Sequence, residues 1–146
     1  MLPTGEKWSI RMIVEHLAMV EFGTMRICSR LLDAAKTDGK PGDGGAHISA
    51  GFGEKSREIV GLKVEAPERV HPTGTVSVGD SLNKMNKNRA DLDALRPELE
   101  AVDLSGHRFP HPFFGDITAP EWLAMLGGHE MRHLGQIERL LEKIRQ

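Results

Sequence analysis

The sequence predicts an all-α protein, a four-helix bundle with up-down-down-up topology and a long crossover between helices two and three. One long segment near each end of the chain carries apolar residues at helical spacing, and a third helical segment lies between them. A stretch with two prolines and two glycines, residues 63–79, precedes that third segment. The 146 residues suit a single domain, 1–146, with one hydrophobic core.

The first two helices differ in how clearly the sequence marks them. Helix one is expected from Trp8 to about Lys36, where apolar residues recur every three or four positions. It ends in residues 37–45, which are rich in Gly and Pro and cannot continue a helix. A weaker helix two is expected from about Gly51 to Leu62, because two internal glycines lower its helix propensity.

The crossover determines the predicted topology. Residues 63–79 are too long for a tight turn between antiparallel helices, so we expect them to carry the chain back along the bundle. Helix three then runs from about Val78 to Val102, with a core stripe that includes Leu82 and with Pro97 marking a kink or an early end. With this crossover, helices one and four are parallel.

Helix four is the best-defined element of the sequence. Residues 103–117 are expected to form a loop, and the segment from Thr118 to Glu121 is a capping box with proline in the first turn. The helix is expected to continue almost to Gln146.

The inward face of helix four carries three consecutive polar positions. Its predicted core stripe is Trp122, Leu126, His129, His133, Gln136, Leu140 and Ile144. Burying polar groups without partners costs roughly 1–3 kcal/mol each, so packing alone would favour leucine there. Residues i and i+4 lie one turn apart on one helix face, so two imidazoles at that spacing can reach one ion. The sequence therefore predicts a divalent metal site that includes His129 and His133.

A third metal ligand has to come from another segment, and His16 is the favoured residue. It lies within helix one beside the core stripe, and in parallel helices its height above the helix start nearly matches that of His129 and His133. The other candidates are His47, His71, His107 and His111. His107 and His111 are expected in a loop well over about 10 Å from His129 along the axis, with His111 at most at the rim of a pocket.

The segment from His129 to His133 also matches HExxH, the signature of zincin proteases. Zincins usually take a third ligand downstream, but none of the 13 residues after His133 is histidine. The metzincin extension fails because Arg139 stands at its final histidine position. Glu130 lies about 100° around the helix from His129, so it need not face the metal. The protease interpretation is therefore disfavoured.

Composition and charge narrow the cellular context. The net charge of −2 with no basic cluster disfavours nucleic acid as a partner. No apolar run approaches the ~20 residues of a membrane span, and the N-terminus lacks a signal-peptide core, so a cytoplasmic protein is expected. Cys28, the single cysteine, is expected to be a core thiol, and Arg89 is expected to snorkel rather than to bind an anionic substrate.

Two segments carry a resemblance to a known family. WSIRMIVEHL at residues 8–17 and HPFFGDITAPEWLAMLGGHEMRHLGQIERLL at residues 111–141 resemble the DinB-like superfamily of bacterial metal-binding four-helix bundles. The resemblance implies a bundle that is often a homodimer, with a three-histidine site carried by His16, His129 and His133. It implies zinc or nickel as the usual metal. Some relatives are thiol S-transferases that use bacillithiol or mycothiol, one branch includes a thiol-dependent isomerase, and many have no known activity.

Three functions are compatible with these observations. S-conjugation of a small electrophile, with a low-molecular-weight thiol as cofactor, is favoured by analogy with the family. Metal-assisted hydrolysis of a small ester or amide is the second. The third is a metal- or ligand-binding protein without catalysis, which the absence of an obvious general base in the core stripe favours. Gly127 and Gly128 would leave room for a ligand or allow close helix packing.

Overall fold

Four α-helices dominate the computed structural model, which describes residues 7–60 and 65–146. The helices are α1 (Ile10–Asp38), α2 (Ala50–Val60), α3 (Val78–Ala101) and α4 (Ala119–Arg145). The all-α class is therefore confirmed. A 3-10 turn (Glu68–Val70) lies in the crossover, and the predicted end of helix two at Leu62 lies outside the described residues. None of the described helices has both the length and the apolar character that a membrane crossing requires.

The helix ends follow from local hydrogen bonds. The side chain of Ser9 accepts a hydrogen bond from the Met12 amide at the start of α1, and Gly39 ends that helix in the left-handed region with φ 67°. Thr118 and Glu121 form the predicted capping box of α4. Pro97 lies inside α3 without ending it.

A short β-hairpin occupies part of the segment that was predicted to be a loop. Strands β1 (Phe109–His111) and β2 (Gly115–Ile117) pair antiparallel, with His111 opposite Gly115. Gly115 adopts a positive φ of 71°. Three-residue strands are too short to show a hydrophobic period, so the sequence pattern did not predict them.

The predicted parallel arrangement of helices one and four is wrong. The Cys28 thiol lies 3.8 Å from the Ala119 carbonyl oxygen at the start of α4. His16 lies beside His129, and Ile13 shares a cluster with Leu140 near the end of α4. Residues near the end of α1 therefore lie beside the start of α4, and residues near the start of α1 lie beside the end of α4, so the two helices are antiparallel.

Helix α3 runs parallel to α1. The Asn88 side chain donates a hydrogen bond to the Ala18 carbonyl, and Lys36 pairs with Glu98 further along both helices. The up-down-down-up prediction assumed that helix two crosses the bundle by itself. With 11 residues α2 spans about 16 Å, whereas the 29 residues of α1 span about 43 Å. The chain needs both α2 and the crossover to return once, and α3 then starts at the same end as α1.

Two hydrophobic clusters pack along α1, one above and one below the level of the histidines. The first joins Cys28 and Leu31 to the hairpin and the start of α4. The second joins Ile13 to Met85 of α3 and to Leu140. The core predictions for Leu82 and Ile144 are wrong, because these side chains are 47% and 61% exposed. For α3 the reason is that it turns a partly polar face, including buried Ser81 and Asn88, toward the rest of the fold.

Candidate metal centre

Three histidines from α1 and α4 gather in the interior between the two clusters. One ring nitrogen from each of His16, His129 and His133 lies within 4.8 Å of the other two, an arrangement that could hold a metal ion. The Nε2 atoms of His16 and His129 are 3.0 Å apart. His16 and His133 are buried, and His129 is partly buried. The structure therefore brings together the three residues that the sequence singled out, although the helices run in opposite directions.

Hydrogen bonds orient two of the three rings. Nδ1 of His16 donates to the Val70 carbonyl oxygen at 2.7 Å, and Nδ1 of His133 donates to Oε1 of Gln136 at 2.9 Å. A neutral imidazole that donates through Nδ1 keeps a lone pair on Nε2. Such partners fix both the tautomer and the ring orientation of metal-binding histidines. Gln136, the third polar position of the predicted stripe, therefore positions His133.

The crossover is held against α1 at the same level. The carboxylate of Glu15 accepts hydrogen bonds from the Thr73 amide at 2.8 Å, the Thr73 hydroxyl at 2.7 Å and the Gly74 amide at 3.0 Å. Glu15 is 4% exposed. These bonds place the Val70 carbonyl where the neighbouring His16 can reach it.

Burial keeps the three rings neutral. It lowers the pKa of His16 to about 4 and that of His129 to about 3, and it lowers the pKa of His133 as well. Neutral imidazole is the form that binds a cation. Nδ1 of His129 is buried without a hydrogen-bond partner among residues 7–60 and 65–146. The donor set, three unprotonated imidazoles in a space for one ion, fits a divalent metal.

Trp8, in the segment just before α1, lies over the histidines. Its ring centroid is 4.9 Å from that of His16 and 6.4 Å from that of His133, and it is nearly parallel to the His133 ring. Trp8 is partly buried. The sequence offers no signal for this contact, because Trp8 precedes α1 and its direction depends on the tertiary packing.

Glu130 of the HExxH segment faces away from the histidines. Its carboxylate pairs with Nη2 of Arg89 at 3.0 Å, and Nε of Arg89 lies 3.4 Å from the buried carboxylate of Glu21. Arg89 was expected to snorkel, but it joins two acidic side chains from α1 and α4. Glu130 is therefore not placed as a base beside the three-histidine centre, which agrees with the rejection of the protease interpretation.

The carboxylate of Glu21 makes stability depend on pH. Burial and the adjacent Glu130 raise the pKa of Glu21 to about 7, although Arg89 opposes the shift. In the unfolded chain its pKa is about 4.5, so the folded state binds the proton more tightly and loses stability as the pH rises from about 5 to 7.5.

We expect Glu21→Gln, which mimics the protonated side chain, to be more stable than the wild type by about 3 kcal/mol at pH 8 and by less than about 1 kcal/mol at pH 5. Urea unfolding at both pH values measures the difference. The control is Glu138→Gln on the exposed surface of α4. A wild-type stability that stays constant across this pH range contradicts the assignment.

The remaining histidines and the cysteine lie outside the three-histidine group. His47 pairs with Asp43, and His107 pairs with Asp38. His71 bonds to a carbonyl of the crossover, and His111 lies at the end of β1. Cys28 is fully buried in the first hydrophobic cluster, as predicted for a core thiol, and this burial raises the pKa of its thiol to about 12.

Gly127 and Gly128, the two residues before His129, lie on the exposed surface of α4. A Cβ atom built on Gly127 or Gly128 would meet no atom within 4 Å. Both glycines are exposed, so close helix packing does not explain them in the described part of the chain, and the space beside them is solvent.

Comparison with known proteins identifies the family. A family model described as the DinB superfamily matches residues 2–137. The chain belongs to the DinB superfamily. The uncharacterized protein YuaE of Bacillus subtilis (strain 168) is similar to this DinB-superfamily chain, with 28% identity over 152 aligned residues that cover 97% of the chain and 82% of the relative. No solved structure matches the chain. Family membership and the three-histidine group together fit a metal-binding DinB-like protein.

Proposed function

We propose that His16, His129 and His133 bind one divalent cation, zinc or nickel, and that the protein is a thiol-dependent S-transferase acting on small electrophiles. The observation that carries this proposal is the convergence of three neutral imidazoles within 4.8 Å, on two helices that are far apart in sequence. Three protein ligands leave coordination positions free for another molecule, as in catalytic rather than structural zinc sites.

The side chains around the centre support a reaction with a small molecule. A bound divalent cation lowers the pKa of a coordinated thiol and so favours its nucleophilic thiolate form. The Val70 carbonyl and Gln136 hold two of the imidazoles in fixed orientations. The ring of Trp8 covers one side of the histidines against water.

The position of Glu130 favours thiol chemistry over hydrolysis. Hydrolysis by a metal site usually needs a carboxylate or histidine base close to the attacking water. In this chain Glu130 is engaged by Arg89, and Gln136 cannot carry a proton at neutral pH. A thiol that is already ionised needs no such base.

Cobalt substitution tests the proposed function. We expect the cobalt(II) protein to change its visible spectrum when a thiol such as 2-mercaptoethanol is added, and the zinc or nickel protein to accelerate thiol conjugation to an activated aryl halide. Both effects should be lost in His133→Ala and retained in His47→Ala, which alters an exposed histidine. A spectrum that ignores thiols would support a non-catalytic metal site, and turnover of activated esters without thiol would support a hydrolase.

The proposal also includes a homodimer in the cytoplasm, as the family resemblance implies. Four exposed apolar side chains of α4 support association with a second copy: Met131, Leu134, Leu141 and Ile144. Apolar patches of this kind often mark interaction surfaces. Sedimentation equilibrium is expected to give twice the mass of one chain, and a monomer at micromolar concentration contradicts this part of the proposal.

A further inference from the structure

The side chain of Trp8 is held in place by the start of α1. Ser9 caps this helix, and its hydroxyl accepts a hydrogen bond from the Met12 amide at 3.3 Å. An apolar residue just before such a cap often packs against the fourth residue of the helix. Here that residue is Ile13, which is fully buried, and Trp8 packs against the hydrophobic cluster that contains it. The helix start therefore fixes the position of the indole.

The indole extends beyond this contact to the histidine rings. Its centroid lies 4.9 Å from the centroid of His16, and the two ring planes are inclined at 50°. The centroid of His133 is 6.4 Å away, with only 21° between the ring planes, and His71 of the crossover approaches at 6.1 Å. Packing against Ile13 needs only an apolar side chain, so it does not account for an aromatic ring beside three imidazoles.

The two nearest imidazoles keep their orientation whether or not a cation is bound. Nδ1 of His16 is bonded to the Val70 carbonyl and Nδ1 of His133 to Gln136, so both hydrogen bonds use the nitrogen opposite the centre. Coordination through Nε2 breaks neither of them. The distances from the Trp8 ring to both imidazoles therefore apply to the cation-bound protein as well.

A bound cation changes the electrostatics of these ring contacts. An imidazole that coordinates a divalent cation takes on part of its positive charge, whereas a neutral imidazole gains only aromatic packing from a neighbouring ring. The face of an indole carries negative charge density and attracts a cation within roughly 6 Å of its centroid more strongly than the other aromatic side chains do. The contact should therefore stabilise the cation-bound state more than the cation-free state.

We propose that the indole of Trp8 strengthens cation binding at the three-histidine centre, because its π electrons attract the positive charge that His16 and His133 share with the cation. Trp8 acts through these two ligands and is therefore a positioning residue. The inference rests on the metal-binding part of the proposed function and does not depend on the thiol reaction.

Fluorinated tryptophans test the electrostatic contribution without changing the shape of the side chain appreciably. Each fluorine withdraws electron density from the indole face and so weakens its attraction for positive charge. We expect the dissociation constant for zinc, measured by calorimetric competition with a chelator, to rise with each added fluorine. With three fluorines on the indole it should be about tenfold higher than in the unlabelled protein.

The variant Trp8→Leu is the matched control. Leucine keeps an apolar contact with Ile13 but has no π electrons, so its dissociation constant for zinc should be about tenfold above that of the wild type. In this variant only Trp122, which bonds to the Phe109 carbonyl in the other cluster, carries fluorine, so fluorination should leave the constant unchanged. Trp8→Phe, with a weaker π face, should lie between leucine and tryptophan. Equal thermal unfolding of the metal-free proteins would show that the helix start is intact.

The outcomes separate this inference from the proposed function. A zinc affinity of the wild type that does not change with fluorination would show that Trp8 contributes only packing. That result would overturn the inference and leave the metal site in place. A wild type that binds no zinc would overturn both. A fluorine dependence that is present in the wild type and absent in Trp8→Leu supports the inference, even if thiols leave the cobalt spectrum unchanged and the S-transferase function fails.

Discussion

Replacing any one of His16, His129 and His133 with alanine is expected to lower the metal content of the purified protein from about one equivalent to below about 0.1 equivalent. Two imidazoles hold a divalent cation far more weakly than three, and the dissociation constant should rise on the order of 10³-fold, which corresponds to about 4 kcal/mol. Elemental analysis and calorimetric titration of the metal-free protein measure both quantities. His47→Ala, which alters an exposed histidine paired with Asp43, should bind metal like the wild type.

Replacing His129 with leucine should stabilise the metal-free protein while it weakens metal binding. Nδ1 of His129 is buried without a partner in the described part of the chain, so His129→Leu should stabilise the metal-free fold by about 1–2 kcal/mol. Saturating metal should stabilise the wild type, by about 2.7 kcal/mol at 100 times the dissociation constant, and should leave His129→Leu unchanged. Full metal occupancy in all three alanine variants would show that the metal binds elsewhere.

Replacing Glu121 with alanine is expected to destabilise the fold by about 3 kcal/mol. Glu121 is 1% exposed, and Oε1 accepts hydrogen bonds at 3.0 Å from both the amide and the hydroxyl of Thr118. Oε2 accepts from the amide and hydroxyl of Ser49 at 3.2 and 2.7 Å, which ties the segment before α2 to the start of α4. Alanine would remove a capping interaction and leave buried donors without acceptors.

The pH dependence distinguishes a charged Glu121 from a merely well-packed one. Burial opposes its ionisation, but the hydrogen bonds from Ser49 and Thr118 outweigh burial and hold the pKa of Glu121 below its usual value. A lowered pKa contributes stability above about pH 4.5 that is lost as the pH falls further. Urea unfolding of Glu121→Gln should therefore show a deficit at pH 7 that shrinks below pH 4. A deficit independent of pH, or one matched by exposed Glu138→Gln, contradicts this assignment.

The histidine group could be predicted because it violates the packing rule for a core helix face. His129, His133 and Gln136 occupy positions where leucine would pack best. Polar side chains are expected at such positions only if they hydrogen-bond to one another or bind a ligand. The direction of α1 relative to α4 could not be predicted this way. Equal distances from the two helix starts would bring His16 level with His129 and His133 if the helices were parallel. In this antiparallel pair, the helices are offset along their axes, and the offset brings His16 to the same level. Helix periodicity fixes which residues share a face, and connections fix direction.

Other features depended on contacts that no local pattern records. The pairing of Arg89 with Glu21 and Glu130 joins three helices, and each residue alone is typical of a solvated helix surface. The contact of Trp8 with the histidines depends on where the segment before α1 folds. The hairpin places His111 beside Trp122 through strands that are too short to show a period. Each is a product of tertiary packing rather than of spacing.

If the proposed cation binds, the hydrogen bond between His16 and the Val70 carbonyl links cation binding to the docking of residues 65–77 on α1. Cation binding and docking of this segment would then strengthen each other by the same factor. Proteolysis of this segment would then slow when the cation binds, and substitutions at Thr73, which anchors the segment to Glu15, would weaken cation binding.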